Sequence, residues 1–270
     1  MSVITISRGS FSGGQMLAEC VGTKLGYRCV DREAVAERGA ARGGSQQELL
    51  DALLKPPGFL ERFQHKRYQY LALFQAALAE EVKTGEVIYH GNAGHLLLKG
   101  ASAVLKVRVI APLEKRIAML VARRKMGRHE AISYIHRVDE ERKRWVRFLY
   151  GVDWEDPHLY DLVVNLDAFD IEEACEVVAA AARQQACFGL TPECLAELED
   201  LAVGSRVRAE LAINPATSHL EFEVVARHGN VAIRGKLTAP DEAMEVKRVA
   251  QAVPGVADLD LGDLAPPAGN

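Results

Sequence analysis

The sequence predicts an α/β chain, a parallel sheet with helices on both faces, followed by a small α+β module. Three observations carry this. Short apolar, β-branched runs alternate with helical stretches over the first two thirds of the chain. A loop of small residues separates the first run from the first helix, and after Gln184 the pattern changes to alternating runs that reverse on a glycine turn.

Val3 to Ile6 reads as a strand that stops at Ser7-Arg8-Gly9-Ser10-Phe11-Ser12-Gly13-Gly14. Met16, Leu17, Cys20, Val21 and Leu25 then recur with helical spacing. Further strands are expected at Tyr27 to Val30, ending at Asp31; at Glu86 to Tyr89, ending at His90-Gly91-Asn92; at Val104 to Ile110; and at Asp161 to Asn165. Helices are expected at Gln46 to Leu54, Phe59 to Lys83, Leu113 to Lys125 and Ile171 to Arg183. Beyond Gln184, Leu195 to Leu211 reads as a helix, Leu220 to Val225 and Val231 to Leu237 as a hairpin around His228-Gly229-Asn230, Asp241 to Val253 as a helix stopped by Pro254-Gly255, and Val256 to Leu261 as a last strand. Ala265 to Asn270 reads as a frayed end.

At 270 residues the chain has room for two domains of roughly 150 residues or less. With 49% apolar and 26% charged residues it has the composition of a folded globular protein. No apolar run reaches the roughly 18 residues of a membrane span, and the start lacks a basic flank with a cleavable apolar core, so the cytoplasm is expected. Cys20, Cys29, Cys175, Cys187 and Cys194 are odd in number and form no CxxC pair, which points to reduced, buried thiols. The eight histidines show no HExxH or Cys/His spacing, so no metal site is expected.

The net charge of −4 conceals an asymmetry. Glu114 to Arg147 carries eleven Lys and Arg against five acids, whereas Thr191 onward carries thirteen acids against seven bases. The basic stretch lacks interleaved aromatics except Trp145, Phe148 and Tyr150, which are expected to bury against the sheet, so nucleic acid is not expected as a partner.

A loop of small residues between a strand and a helix holds a phosphate when backbone amides and the helix N-terminus converge on it. Ser7 to Gln15 has that position; the alternative is a glycine-rich turn for close packing. Ser10, Ser12, Gly13, Gly14 and Gln15 are the candidate phosphate-binding residues. Against GxxxxGK[ST], Arg8 stands at the first glycine, Gly13 matches the second, Gly14 replaces the lysine and Gln15 the hydroxyl residue.

Ile4-Thr5-Ile6-Ser7-Arg8 with Ser12-Gly13-Gly14, Lys24-Leu25-Gly26-Tyr27 and Asp31-Arg32-Glu33 resembles the cytidylate kinase-like family of P-loop proteins. Ala111 to Ile117, Arg137 to Arg142, Gly151 to Pro157 and Tyr160 to Asn165 extend the likeness to roughly residues 1–185. The resemblance implies a P-loop NTPase fold in residues 1–188, with ATP over the first loop, magnesium with it, and CMP, dCMP or a related monophosphate opposite. It places Arg123, Arg137 and Arg142 on lid helices that close on the phosphates, where guanidinium groups suit bidentate contact; the alternative is a charged helix face with Asp139 and Glu141 as surface partners. Asp31, Arg32 and Asn92 fall on the monophosphate side. Arg8 is the candidate substitute for the missing lysine, or else pairs with Asp31 or Glu33.

Three departures stand out. Gly14 and Gln15 remove the charge at the lysine and the residue after it, His90 stands where an acid would support magnesium, and Asn92 stands where relatives carry an arginine for the monophosphate. Two readings result: a kinase with an arginine-built phosphate site, or a nucleotide sensor.

Arg206 to Leu211, Gly229 to Gly235 and Ala250 to Val256 resemble a BON domain, with the order αββαβ over 198–264. This implies a binding or regulatory module. Its negative charge argues against docking on anionic membrane, and its expected partners are the basic lid of the same chain, another protein or a small ligand.

Overall fold

A computed structural model describes residues 2–54, 64–184 and 188–265, the side chains of Gln64 and His65 excepted. The first five positions of the helix expected from Phe59, together with Cys187 and residues 266–270, lie outside the described residues. In chain order the elements are β1 (Val3–Arg8), α1 (Gly14–Leu25), β2 (Arg28–Asp31), α2 (Arg32–Ala40), α3 (Gln46–Leu54), α4 (Gln64–Val82), β3 (Val87–His90), α5 (Gly94–Leu97), β4 (Val104–Ile110), α6 (Leu113–Arg124), α7 (Arg128–Tyr150), β5 (Leu162–Asn165), α8 (Ile171–Ala182), α9 (Pro192–Ile213), β6 (Phe222–Arg227), β7 (Asn230–Lys236), α10 (Glu242–Gln251), β8 (Asp258–Asp260) and β9 (Leu264–Ala265). Helix α2 was not expected from the sequence, and Ala265, the first residue of the end expected to fray, pairs with Lys236.

The chain divides into two compact units, one of Met1–Arg32, Leu53–Pro57 and Gly85–Leu190, the other of Glu33–Ala52, Gly58–Thr84 and Thr191–Asn270. The second unit thus joins the tail to the helical insert between β2 and β3.

In the first unit five parallel strands run in the order β2-β3-β1-β4-β5. Parallel strands are covered on both faces and so read as unbroken apolar runs; Val3, Ile4 and Ile6 of the central β1 are buried accordingly. Leu17, Ala18 and Val21 of α1 and Ala174, Cys175 and Val178 of α8 pack against Ile4, Ile88, Leu105 and Val107. Met16, expected in that apolar stripe, is exposed instead. Helix α8 starts in a capping box between Asp170 and Glu173. Of the described cysteines Cys175 is buried, but Cys29 is exposed, correcting the expectation of uniformly buried thiols. The α7 stripe buries Trp145 and leaves Phe148 exposed, because Ala131, Ile135 and Val146 set the buried face about 130° away from Phe148. Among the described residues no helix is long and apolar enough to cross a membrane.

In the second unit β6 and β7 form the expected hairpin, with His228 and Gly229 both at positive φ as a two-residue turn of the favoured twist requires. β8 and β9 both pair parallel with β7. Val207 and Leu211 of α9, Phe222, Val231, Ile233, and Val246 and Val249 of α10 form its core. Thr191 caps α9 by accepting the Cys194 amide.

Helix α9 also packs along α4. The Tyr68 hydroxyl donates to the Phe222 carbonyl (2.7 Å) and accepts the Phe222 amide (2.9 Å) and Arg208 Nε (3.2 Å). Arg208 Nη1 donates to Gln75 (2.8 Å), and its guanidinium lies over the Tyr68 ring. Tyr68→Phe removes the partner of both Phe222 backbone groups; unfolding in denaturant is expected to show a loss of about 1–3 kcal/mol.

Glu242 is buried and accepts the Thr238 and Ala239 amides, the Thr238 hydroxyl and His219 Nε2. Burial opposes its charge, but these hydrogen bonds outweigh burial and hold its pKa down at about 2, against 4.5 ordinarily. A carboxylate with a depressed pKa contributes stability that is complete above the unfolded value and is lost as pH falls toward the folded one. Thermal melts of the parent chain and Glu242→Gln are expected to converge between pH 4.5 and about 2; a gap that stays constant there counts against this assignment.

Candidate functional site: the loop after β1

The loop leaving β1 turns through left-handed conformations at Phe11 (φ 57°) and Gly13 (φ 85°), and α1 begins at Gly14 with no side chain capping its first amides. Uncapped amides at a helix N-terminus are donors without an intrahelical partner, backed by the positive end of the helix dipole. Gly13 is required twice over: its φ is left-handed, and a Cβ there would stand 2.8 Å from Leu166 Cδ1. At Gly14 a Cβ would overlap Arg8 Cδ, so the Arg8 stem lies across the position where a lysine would project. Ser12 Oγ donates to the Gly9 carbonyl (3.1 Å), while the buried Ser10 Oγ has no hydrogen-bond partner among the described residues.

Two lid-side residues grip this loop at Ser10. Arg116 of α6 donates through Nε to the Ser10 carbonyl (2.7 Å) and pairs through Nη2 with Asp139 of α7, whose other oxygen accepts the Ser10 amide (3.1 Å). Arg142, one turn further along α7, donates to the Arg8 carbonyl (3.2 Å). Part of the Arg142 side chain reaches the surface, yet its Nε is buried and has no partner among the described residues. Burial pulls its pKa down to about 10; Arg32 adds to this, Asp139 opposes it, and Arg8 and Arg116 lower it further. Arg8, Arg32, Arg116 and Arg142 therefore share one electrostatic neighbourhood, which favours an anion.

The remaining predicted residues are placed differently. Arg137 is exposed and pairs with Glu141 (3.8 Å), the surface partner the sequence offered as an alternative. Arg123 is exposed in the last turn of α6, whereas its neighbour Arg124 lies over the rings of Phe11 (5.6 Å) and Tyr134 (4.9 Å). Gln15 donates to Glu19 (2.9 Å). Asp31, at the end of β2, stands in register with the buried His90 of β3. Arg32 opens α2, and the Asn92 carbonyl accepts the Tyr89 hydroxyl (3.3 Å). Magnesium ordinarily leans on a loop hydroxyl and a strand-end acid. With a carboxamide already bonded to Glu19 and a histidine in those places, and no trio of metal-ligating side chains among the described residues, the donor set does not fit a protein-held magnesium ion.

A second buried polar cluster adjoins β1 at Ser7. Arg108 of β4 donates to the Trp154 carbonyl and lies over the Trp154 and Tyr160 rings. The Tyr160 hydroxyl also donates to that carbonyl (2.7 Å) and stands 3.3 Å from Ser7 Oγ. His95 packs on Tyr160 with both ring nitrogens unpartnered among the described residues. Burial, then Arg108 and Lys106, lower its pKa to about 4, so its ring is neutral at pH 7.

Arg116, Asp139 and Arg124 were not singled out as site residues from the sequence. The heptad from Ile135 to Arg142, with Asp139 between them, carried the missing signal, since positions i, i+4 and i+7 share a helix face.

The description of the cytidylate kinase-like family matches residues 3–168, more than half the chain. The chain belongs to that family. Cytidylate kinase of Ignicoccus hospitalis is 29% identical over 181 residues, covering 66% of this chain and 97% of the relative. Cytidylate kinase of Methanothrix thermoacetophila is 28% identical, covering 67% and 98%. A solved structure of an uncharacterized protein from Eubacterium ventriosum shares the fold at TM-score 0.54 and 13% identity, covering 67% of this chain and 97% of that one. In this cytidylate kinase-like chain the loop is gripped from α6 and α7. Asp139→Ala is therefore expected to weaken nucleotide binding by about tenfold or more, as losing a charged hydrogen-bond partner does, with Asp139→Asn losing less; calorimetric titration with ATP distinguishes the two.

Proposed function

We propose that the chain is a nucleoside monophosphate kinase that moves the γ-phosphoryl group of ATP to CMP, dCMP or a related monophosphate. The observation that carries the reading is the buried, unpartnered Nε of Arg142 beside a loop whose helix-start amides are uncapped. Ser10, Ser12, Gly13, Gly14 and Gln15 line the donor phosphates, chiefly through backbone amides, and Arg8 supplies the charge that a loop lysine would bring. Arg142 reaches the transferring group; Arg137 and Arg123 join it only when the lid moves. Asp31, Arg32 and Asn92 hold the acceptor. Magnesium enters with the nucleotide, held by phosphate oxygens and water.

The chemistry asks little covalent work of the protein. An acceptor phosphate oxygen forms the new bond to Pγ, the bond from Pγ to the bridging oxygen breaks, and ADP leaves. A phosphate monoester is largely dianionic at pH 7, its second pKa being about 6, so the nucleophile needs no general base. What remains is alignment and positive charge on the equatorial oxygens.

Residues 1–188 are read as the kinase domain and 198–264 as a BON module that regulates it. A nucleotide sensor is the second reading, favoured by Gln15 being bonded to Glu19 in place of a phosphate-facing cation.

Incubation with Mg-ATP and each monophosphate, followed by chromatography, is expected to show acceptor-dependent diphosphate formation. Arg142→Ala should slow it about 10²- to 10³-fold, the usual effect of removing one transition-state donor. Saturable nucleotide binding without turnover overturns the kinase and leaves the sensor.

A further inference from the structure

Phe11 is the one large side chain between Arg8 and Gly14, and it stands at φ 57°, in a backbone conformation that favours glycine. Such an outlier persists where its surroundings over-determine it. Here the surroundings are the hairpin of α6 and α7. Phe11 and Tyr134 of α7 both pack against the apolar cluster of Ile117, Leu120, Ala131 and Ile135. Their rings meet edge to face, with centroids 6.1 Å apart and planes at 67°. All of these residues belong to the first unit.

Arg124, in the last turn of α6, lies over both rings, and Arg137, one turn along α7 from Tyr134, lies over the Tyr134 ring (5.5 Å). Arg137 also has Glu141 as a partner, whereas Arg124 is exposed and makes no ion pair among the described residues. Arg123 and Lys125 flank it in sequence, so like charges crowd the tip of the hairpin. The negative faces of the two rings are thus what Arg124 has for a counter-charge. A polyphosphate offers a stronger one. An exposed cation–π contact is worth about two- to fivefold in affinity, and a hydrogen bond to a charged group about tenfold or more. The guanidinium already lies over a residue of the loop, so the exchange needs no long travel. Eight residues back along α6, about 12 Å, the grip of Arg116 and Asp139 on Ser10 can stay made.

We infer that Phe11 and Tyr134 form an autoinhibitory rest for Arg124: the rings hold its guanidinium until a bound polyphosphate draws it off onto phosphate oxygens. This rests on the reading of the loop as a nucleotide site and adds what opposes binding there. It also gives the left-handed Phe11 a task that a glycine could not perform.

The test is calorimetric titration of the full chain with ATP and with inorganic tripolyphosphate, each with magnesium. Tyr134→Leu keeps an apolar side chain on α7 and leaves the loop sequence unchanged. It is expected to tighten both ligands about two- to fivefold, the worth of one exposed cation–π contact. Phe11→Gly, which adopts the left-handed φ without strain, should tighten them as well. Most of either gain should vanish in an Arg124→Gln background, where no guanidinium is left to hold. Unchanged or weaker binding in both ring variants, or a gain of the same size with Arg124→Gln, overturns the inference. So does a loss for ATP with tripolyphosphate unaffected, which marks the rings as a platform for the base. The expected pattern without any turnover sinks the kinase reading and leaves the inference standing, whereas turnover with unchanged affinity in both ring variants does the reverse. A parent chain that binds neither ligand overturns both.

Discussion

Asp139 accepts the Ser10 amide and faces Arg116, whose Nε returns to the Ser10 carbonyl, so one ion pair holds both backbone groups of a single loop residue. Neither partner is fully buried, the side chains being 14% and 23% exposed. The pair therefore stands between the surface case, worth little, and the buried case, where losing one partner is severe. Its geometric effect exceeds its energy. A loop with two left-handed residues has few local hydrogen bonds to define it, and a clamp from α6 and α7 gives it one shape.

That clamp also sets the electrostatics. Four arginines in one neighbourhood repel, and the depressed pKa of Arg142 records burial and that repulsion together. Asp139 offsets part of it, and its carboxylate occupies a loop amide without occupying the amides that open α1. The loop is thereby held by an internal anion while no side chain caps the helix-start donors. Helix α7 and the loop are mechanically one device, since Asp139, which accepts the Ser10 amide, and Arg142, which donates to the Arg8 carbonyl, lie three apart on α7.

How much of this was legible in the sequence follows from whether the signal is local. Strand β4 and helix α3 have the boundaries that their apolar spacing predicts, and the hairpin turns where His228-Gly229 demands it. The two lid arginines could have been separated by helical phase: five residues is about 140° of rotation, so with Ile135, Asp139 and Arg142 on the inner face Arg137 faces outward. Other features have no local signature. Tyr68 meets Phe222 across 154 residues, and no periodicity in either segment announces it. The contact of the long tail helix with α4, made through an arginine, a tyrosine and a glutamine, likewise has no signature in the charge pattern of either segment.

The absent loop lysine looks different once Arg8 is placed. An arginine at 8 excludes any side chain at 14, because a Cβ there overlaps the Arg8 stem. A lysine therefore cannot stand at 14 while Arg8 keeps its course. Arg8 ends the central strand, and its carbonyl is the group that Arg142 binds. With no side chain at Gly14, the first residue of α1 presents only its backbone amide, and the Arg8 stem fills the space beside it.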